Sequence, residues 1–185
     1  AAWPETDLRL DTSLKPVDFV AQRIDVGVRY GRGLWPGLAA EKLMDEEVYP
    51  VCAPALLTTA TLQAPGDLRG QVLIHDQSVD TSTGFASWQA WLRHAGVQGV
   101  PTARGLRINN SAAVLQAAID GQGVALARSV MAHDDLAAGR LVRLFPQVRL
   151  ESALAYYVVY RPECIAQPKV AAFRDWLLRE AHGPA

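Results

Sequence analysis

The chain has 185 residues, of which half are hydrophobic and a fifth are charged, and this composition excludes a disordered chain. Its formal net charge is −1, and its basic residues are scattered along the sequence. A nucleic-acid-binding surface needs clustered basic residues, so we do not expect this chain to hold DNA by itself.

The predicted elements alternate between strands and helices along the chain. Short apolar or alternating runs predict strands at residues 8–12, 25–30, 48–52, 72–74, 103–108, 124–126 and 154–160. Apolar residues at helical spacing predict helices after Pro16, around Trp88 and Trp91, and at residues 111–120 and 169–181. Pro50 in the third strand indicates an edge or a crossing segment, because proline lacks the N–H that a central strand needs. This order predicts an α/β fold with a mainly parallel sheet.

Cysteine usage and the length of the apolar runs indicate where the protein works. Cys52 and Cys164 are too few for a disulfide framework, so we expect the reducing cytoplasm, while a single bridge between them stays open. No apolar run approaches the about 20 residues of a membrane span, so we expect no membrane partner. The first residues contain neither a basic stretch nor a methionine, which predicts that the chain is part of a longer protein.

Motifs for catalysis or cofactor binding are incomplete. Gly121-Gln122-Gly123 resembles part of a dinucleotide fingerprint, but it follows a predicted helix, so a helix C-cap and turn is the favoured interpretation. His75, Asp76 and Ser78 are the residue types of a hydrolase triad, but neighbours along one strand end cannot act as base, orienter and nucleophile. The other histidines are too far apart for a metal site. We therefore predict no catalytic residue, no metal and no cofactor.

Polar residues gather where predicted strands end, which is the edge at which open α/β sheets bind ligands. These residues are Thr12, Ser13, Tyr30, Gly31, Asn109, Asn110 and Ser111. The last three precede a predicted helix, and a helix N-terminus presents unpaired backbone N–H groups to an anion. The alternative interpretation is that Asn110 or Ser111 only caps the helix. Both interpretations stay open on residue types alone.

A resemblance to a known family covers essentially the whole chain. The blocks that carry it are Val17-Asp18-Phe19, Asp25-Val26-Gly27-Val28-Arg29-Tyr30-Gly31-Arg32-Gly33, Trp35-Pro36-Gly37-Leu38, Glu41-Lys42-Leu43, Val51-Cys52-Ala53-Pro54-Ala55-Leu56, Trp88-Gln89-Ala90-Trp91-Leu92, Ala117-Ala118-Ile119-Asp120-Gly121-Gln122-Gly123-Val124-Ala125-Leu126-Ala127, Asp135-Leu136-Ala137-Ala138-Gly139-Arg140-Leu141 and Phe173-Arg174-Asp175-Trp176-Leu177. In this order and spacing they resemble the effector domains of LysR-type transcriptional regulators, in the branch of the glycine-cleavage activator and the β-lactamase regulator.

The resemblance implies a type-two periplasmic-binding-protein-like α/β fold, with two Rossmann-like lobes joined by two crossing strands. It implies lobe one at residues 1–51 and 160–185, and lobe two at residues 52–159. It also implies that the strand and helix that open related domains are missing from this sequence. In the family the effector lies between the lobes, and the residues that the resemblance assigns to its site are Thr12, Ser13, Tyr30, Asn109, Asn110, Ser111 and Tyr157.

The same resemblance implies a regulatory function and not an enzyme. The domain is expected to bind a small-molecule effector of unknown identity, and to control transcription through a population shift in which no bond is made or broken. The implied assembly is a homodimer, with a tetramer for the full-length protein, and DNA is contacted only through an N-terminal helix-turn-helix outside this chain. A solute-binding protein of a transport system, which shares the fold, is the alternative function.

Overall fold

A computed structural model describes residues 7–13, 17–78 and 84–183 of the chain. Its strands are β1 (Val26–Gly31), β2 (Ala39–Met44), β3 (Glu47–Cys52), β4 (Leu73–Asp76), β5 (Leu106–Ile108), β6 (Val124–Arg128), β7 (Val142–Arg143), β8 (Leu150–Glu151) and β9 (Ala155–Tyr160). Its α-helices are α1 (Leu56–Thr59), α2 (Trp88–His94), α3 (Ser111–Ile119), α4 (Ser129–Ala137) and α5 (Pro168–His182). Short 3-10 helices span Pro65–Gly70 and Pro162–Ala166.

The chain divides into two compact units. Unit one comprises Ala1–Asp45 and Ala155–Ala185, and unit two comprises Glu46–Leu154. The lobe boundaries expected from the sequence, after residues 51 and 159, fall inside β3 and β9. In the structure β3 belongs entirely to the sheet of unit two, and β9 belongs entirely to the sheet of unit one.

Unit one is built on an antiparallel three-stranded sheet in the order β1-β9-β2. The central strand β9 buries Val158 completely, and α5 covers that face by packing Val170 into the same apolar cluster. The opposite face is covered by Phe19, whose ring lies so close to Gly27 that a Cβ there would sit 3.0 Å from it. A glycine at position 27 therefore lets Phe19 close this side of the core.

Unit two contains a mixed sheet in the order β5-β4-β6-β3-β7, with β8 also pairing with β3. Successive side chains of a strand point to opposite faces, so its strands contribute to two apolar clusters. One cluster contains the buried indole rings of Trp88 and Trp91 from α2. The other contains Val114, Leu115 and Ala118 from α3. Helices thus cover both faces of the sheet.

The predicted α/β class is confirmed, while the expectation of a mainly parallel sheet is wrong. β4 runs parallel to β5 and β6, but β3 runs antiparallel to each of its neighbours. The strand pairs of unit one, β1 with β9 and β2 with β9, are antiparallel as well. An apolar run predicts a buried strand without indicating its direction. The direction is decided by which distant strand pairs with it.

The strand predicted at residues 8–12 is absent from the structure. Residues 7–13 have no regular secondary structure, and the side chains of Leu8 and Leu10 are 69% and 83% exposed. A strand needs a neighbour for its backbone N–H and C=O groups, and no strand among the described residues pairs with this segment. The alternating pattern of residues 8–12 was therefore not sufficient to predict a strand.

The helix predicted after Pro16 is also wrong over the described residues 17–24, which form a single turn; Pro16 itself lies outside the described residues. The Asp18 side chain accepts hydrogen bonds from the backbone N–H groups of Val20 and Ala21, at 2.9 and 3.0 Å. Arg23 then adopts a positive φ of 53°. A left-handed residue ends a helical turn, so the chain stops after one turn and enters β1.

Pro50 does not mark an edge, because β3 has neighbours on both sides. Pro50 pairs with Leu126 of β6, and its carbonyl oxygen accepts from the N–H of Leu144, at 2.9 Å, on the other side. On that other side β8 pairs with Glu47 and Val48, and β7 pairs with residues 51 and 52. The missing N–H of Pro50 thus falls where the partner changes from β8 to β7, so an interior strand tolerates it.

The Gly121-Gln122-Gly123 segment ends α3, as the helix-cap interpretation predicts. The N–H of Gly121 donates to the carbonyl of Ala118, and the N–H of Gln122 donates to the carbonyl of Ala117, which is the hydrogen-bond pattern of a Schellman cap. Gly121 has a positive φ of 73°. A Cβ on Gly123 would lie 2.2 Å from the carbonyl oxygen of Val72, so only glycine fits there.

Candidate functional site

The carboxyl ends of the parallel strands of unit two meet at one edge of its sheet. β4 ends at Asp76, directly beside Ile108 at the end of β5, and the N–H of Gln77 donates to the carbonyl of Ile108 at 2.7 Å. Asn109 and Asn110 then connect β5 to the first residue of α3. This is the edge at which α/β sheets bind ligands.

Asp76 holds the two serine hydroxyls of this edge in a directed chain of hydrogen bonds. The Ser111 hydroxyl donates to Asp76 Oδ2 at 2.5 Å, and the backbone N–H of Ser78 donates to Oδ1 at 2.8 Å. The hydroxyls of Ser78 and Ser111 lie 2.7 Å apart. Because Ser111 gives its single hydroxyl hydrogen to the carboxylate, the hydrogen between the two serines comes from Ser78. The chain therefore runs from Ser78 to Ser111 to Asp76.

This geometry excludes the triad interpretation of His75, Asp76 and Ser78. The imidazole Nε2 of His75 lies 3.1 Å from the carbonyl oxygen of Arg104, and the alternation of side chains along β4 puts His75 on the opposite face from Asp76. A nucleophilic serine needs a base that takes its proton, and here the hydroxyl hydrogens point along the chain toward a carboxylate. Sequence reasoning considered Asp76 and Ser78 only as triad types. Their contact with Ser111 could not be read from positions more than 30 residues away.

Asn110 is the N-cap of α3. Its side-chain oxygen accepts from the N–H of Ala113 at 3.0 Å. The capping interpretation is therefore correct for Asn110, while Ser111 bonds to Asp76 instead of capping the helix. By helix geometry the N–H groups of Ser111 and Ala112 have no partner within the helix.

Replacing Asn110 with alanine is expected to lower the free energy of unfolding by about 1 kcal/mol, because the N–H of Ala113 loses its acceptor. Asn109→Ala is the matched control, since Asn109 is exposed and precedes the cap. Urea denaturation followed by circular dichroism measures both variants. Equal stability of the two variants would show that the cap contributes nothing.

A cavity of about 380 Å³ opens beside Asp76 within unit two. The described residues that line it come from the end of β4 and the residue after it, the segment before α2 and the first residue of that helix, β5 and β6: Ile74, His75, Asp76, Gln77, Phe85, Ala86, Ser87, Trp88, Arg107 and Leu126. Its volume lies within the range of small-molecule sites, and such sites combine apolar walls with a few polar groups. Apart from His75 and Asp76, no sequence pattern pointed to these residues as neighbours.

The other residues that the resemblance assigned to the effector site lie in unit one. Tyr30, at the end of β1, packs against Tyr156 with ring centroids 4.9 Å apart. Tyr157 meets Trp35 edge to face at 5.5 Å. Thr12 and Ser13 are exposed and lie outside regular structure. Asn109, Asn110 and Ser111 lie in unit two, and an effector role for all seven residues stays a prediction.

The two cysteines are free and buried, Cys52 in unit two and Cys164 in unit one, so they form no disulfide. Burial raises the pKa of the Cys52 thiol to about 11, which keeps it protonated and a weak nucleophile at neutral pH. The described part of the chain contains no group of three or more His, Cys, Asp or Glu side chains suited to a metal ion. None of its described helices combines the length and apolar character of a membrane span.

The fold and the site define a mixed α/β domain, in which polar residues meet at the carboxyl ends of the parallel strands of unit two. Residues 1–182 match the family model described as the LysR substrate binding domain. The chain belongs to this family, the effector domains of LysR-type transcriptional regulators.

Relatives and solved structures agree with this assignment. The chain is 43% identical over 182 residues to the glycine cleavage system transcriptional activator of Escherichia coli strain K12, covering 98% of this chain and 57% of that protein. It is 32% identical over 183 residues to the HTH-type transcriptional activator AmpR of Pseudomonas aeruginosa, covering 98% of this chain and 58% of that one. The X-ray structure of the effector domain of AmpR of Pseudomonas aeruginosa has a TM-score of 0.79 and 30% identity, covering 97% of this chain and 82% of that one.

These similarities confirm the predicted family, its branch and the periplasmic-binding-protein-like fold. The chain spans a little over half the length of the curated relatives it matches. Those relatives are transcriptional activators, so a transport protein is not favoured. The family is a class of regulatory domains and not a class of enzymes.

Proposed function

We propose that this chain is the effector-sensing part of a LysR-type DNA-binding transcriptional regulator, which controls transcription in response to a small molecule. The observation that carries the proposal is the family match over residues 1–182. The 18 basic residues of the chain are balanced by 19 acidic residues, and DNA binding needs an excess of positive charge. This balance supports DNA contact through a helix-turn-helix outside this chain. The proposed regulator acts in the cytoplasm as a homodimer of this domain, with a tetramer of the full-length protein.

Within the chain, the proposed effector site includes the cavity of unit two and the Asp76–Ser111–Ser78 chain beside it. Polar atoms from three elements converge there: the end of β4, the segment after it and the start of α3. Units one and two are proposed as the two lobes of the domain. The unit-one residues Thr12, Ser13, Tyr30 and Tyr157 are proposed to contribute to effector binding as well, on the strength of the resemblance.

The proposed mechanism is a population shift without covalent chemistry. The effector favours the conformations that bind it, and its differential affinity sets how far the equilibrium moves. We propose no catalytic activity, because the Ser78 hydroxyl donates to Ser111 and the Ser111 hydroxyl donates to the Asp76 carboxylate. A group held in this way positions a ligand and does not attack it.

Replacing Ser111 with alanine tests the proposed function in cells. The change removes the hydroxyl that joins the Ser78 side chain to Asp76, and it is expected to weaken effector binding about two- to tenfold, which is typical for one neutral hydrogen bond. The gene is deleted, and transcripts are compared after complementation with wild-type or variant full-length protein. We expect wild-type protein to restore a defined set of transcripts, and Ser111→Ala to shift their response to growth medium.

Thr58→Ala is the matched control for this experiment. Thr58 lies on α1, and its hydroxyl donates to the carbonyl of Ala55, the N-cap of that helix, within unit two but outside the cavity lining. It is expected to restore transcription like the wild type. Deletion without any transcriptional change would refute the regulatory function, and wild-type behaviour of Ser111→Ala in every medium would remove Ser111 from the effector site.

A further inference from the structure

The cavity of unit two combines a guanidinium group with apolar walls on one face of the sheet. We propose that it binds a small organic anion, a carboxylate with an apolar body, with the carboxylate at Arg107 and the body against Phe85 and Trp88. The inference rests on the proposed function and names the chemical class of the effector.

Strand register puts Arg107 on the same face of the sheet as the apolar walls. His75 and Arg107 are register partners in the parallel pair of β4 and β5, and such partners direct their side chains to one face. His75 shares its face of β4 with Leu73, which lies two residues earlier. Leu73 belongs to the apolar cluster that contains Trp88 and Leu126. The side chain of Arg107 therefore leaves the sheet on the face that α2 covers.

The Asp76 carboxylate is directed to the other face. Asp76 is the one acidic residue among the described residues of the lining. It follows His75 in β4, so its side chain leaves the opposite face, where it accepts from the Ser111 hydroxyl at the start of α3. The negative charge is thus held at α3, while the face with the apolar walls carries the guanidinium of Arg107.

Arg107 has donors left for a carboxylate. One guanidinium nitrogen donates to the carbonyl of Ala103 at 2.9 Å, and a guanidinium has five N–H donors in all. None of the ion pairs among the described residues includes Arg107. The guanidinium of Arg128 lies 6.0 Å from the ring centroid of Phe85, another residue of the lining. Nearby positive charge favours an anion over an ammonium group, and a guanidinium can bind a carboxylate through two parallel hydrogen bonds.

Apolar side chains form the rest of this face of the cavity. Phe85 and Trp88 are both buried, and Leu126 lies beside them in the lining. The indole of Trp88 is fixed in place, because its Nε1 donates to the carbonyl of Ile74 at 2.9 Å. An apolar group gains free energy when it moves from water against such walls. A carboxylate that carries an apolar body therefore matches the cavity better than a bare anion such as acetate.

Four probes test this inference on the 185-residue chain. 3-Phenylpropanoate carries a carboxylate and an apolar body, 3-phenylpropanamide keeps the skeleton without the charge, 3-phenylpropylamine carries an ammonium, and acetate is the carboxylate without the body. Dissociation constants are measured by titration calorimetry or, for weak binding, by NMR shift changes. We expect 3-phenylpropanoate to bind about tenfold or more tighter than the amide, because a charged hydrogen-bonded contact is added. Acetate and the amine are expected to bind at least about tenfold more weakly than 3-phenylpropanoate.

Arg107→Gln tests the charged end of the ligand. It is expected to weaken 3-phenylpropanoate about tenfold or more and to leave the amide unchanged. Arg104→Gln is the matched control, because Arg104 is exposed, carries the same charge and lies outside the described lining. The titrations are run at about 0.15 M salt, where exposed charges more than about 8 Å apart are largely screened, so a loss at Arg107 alone reports a contact. Circular dichroism checks the fold of both variants.

A measurement on the wild-type chain locates the apolar body without any substitution. We expect nuclear Overhauser effects between the phenyl protons of bound 3-phenylpropanoate and the methyl groups of Leu126, which lines the cavity. Leu57, which lies on α1 outside the lining, is expected to show none.

The inference is overturned if the amide, the amine or acetate binds as tightly as 3-phenylpropanoate, or if none of the four probes binds. Equal losses for Arg107→Gln and Arg104→Gln, or a bound probe without contact to Leu126, would overturn it as well. The proposed function fails separately, by the transcript experiment on the deletion strain. A regulator that controls transcripts but binds none of these probes would retain the proposed function and lose the carboxylate site.

Discussion

Replacing Trp91 with alanine is expected to lower the free energy of unfolding of unit two by about 3–5 kcal/mol. Trp91 is completely buried, and its ring lies 6.2 Å from that of Trp88 and 6.1 Å from that of Phe145. Truncation removes this apolar contact and leaves a large cavity that the surrounding helix and sheet cannot fill. Urea denaturation followed by circular dichroism measures the loss.

Trp91→Phe distinguishes packing from hydrogen bonding at this site. The indole Nε1 of Trp91 is buried and has no hydrogen-bond partner among the described residues. Phenylalanine keeps most of the ring and removes that donor, so a loss of only about 1–2 kcal/mol is expected. Trp176→Ala on α5 is the control for ring size, because Trp176 is only partly buried. Equal losses for Trp91→Ala and Trp176→Ala would contradict the assignment of Trp91 to the core.

The second large effect on stability is expected at Glu46. This residue directly precedes β3, and its buried carboxylate lies at the N-terminus of α4. Its side chain is 4% exposed, and Oε1 accepts hydrogen bonds from the hydroxyl of Ser129 and from the N–H groups of Val130 and Glu47. Glu46→Ala leaves the Ser129 hydroxyl and the Val130 N–H without this acceptor, while the Glu47 N–H keeps the Ser129 hydroxyl oxygen as an acceptor at 3.1 Å. The change also removes a negative charge from a helix N-terminus. The expected loss is about 3 kcal/mol in the free energy of unfolding, because each unsatisfied buried donor carries its own desolvation cost.

Asp45→Ala is the matched control for Glu46. The Asp45 side chain is 82% exposed and pairs with Lys42 on the surface, so its removal is expected to cost less than about 1 kcal/mol. Glu46→Gln keeps an acceptor oxygen but loses the charge, and its loss is expected to fall between the two alanine variants. Thermal and urea unfolding measure the loss of stability in all three variants. Similar losses at positions 45 and 46 would show that burial of the Glu46 carboxylate contributes little.

Strong local patterns in the sequence were sufficient to predict most of the helices and strands. Trp88, Trp91 and Leu92 recur at helical spacing, and α2 buries all three. The apolar runs that became β3, β6 and β9 were recognisable because buried strands exclude polar residues. The elements that sequence reasoning did not predict have weaker patterns. β2 contains Glu41 and Lys42, and the short strands β7 and β8 form only because β3 offers a pairing edge.

The site was only partly predictable. Strand-end polarity pointed to Asn110 and Ser111, because parallel strands end at a common edge. It did not indicate that Asp76 receives the Ser111 hydroxyl, or that Arg107 shares a cavity with Asp76. Hydrogen-bond direction depends on which partner lies within about 3 Å, and residues far apart in sequence meet only after the sheet has formed. The structure shows that the Ser111 hydroxyl donates its hydrogen to Asp76, a contact that its position before a predicted helix did not indicate.

The sequence by itself determined the class of this protein, because family blocks and apolar periodicity are local properties that survive without coordinates. It also determined the helix end at Gly121, where a left-handed residue is required. Tertiary structure alone decided the strand directions, the failure of residues 8–12 to form a strand, and the partners of Asp76 and Glu46. Each of these depends on pairing between distant segments, and a local pattern specifies how a segment is built but not which neighbour receives its hydrogen bonds.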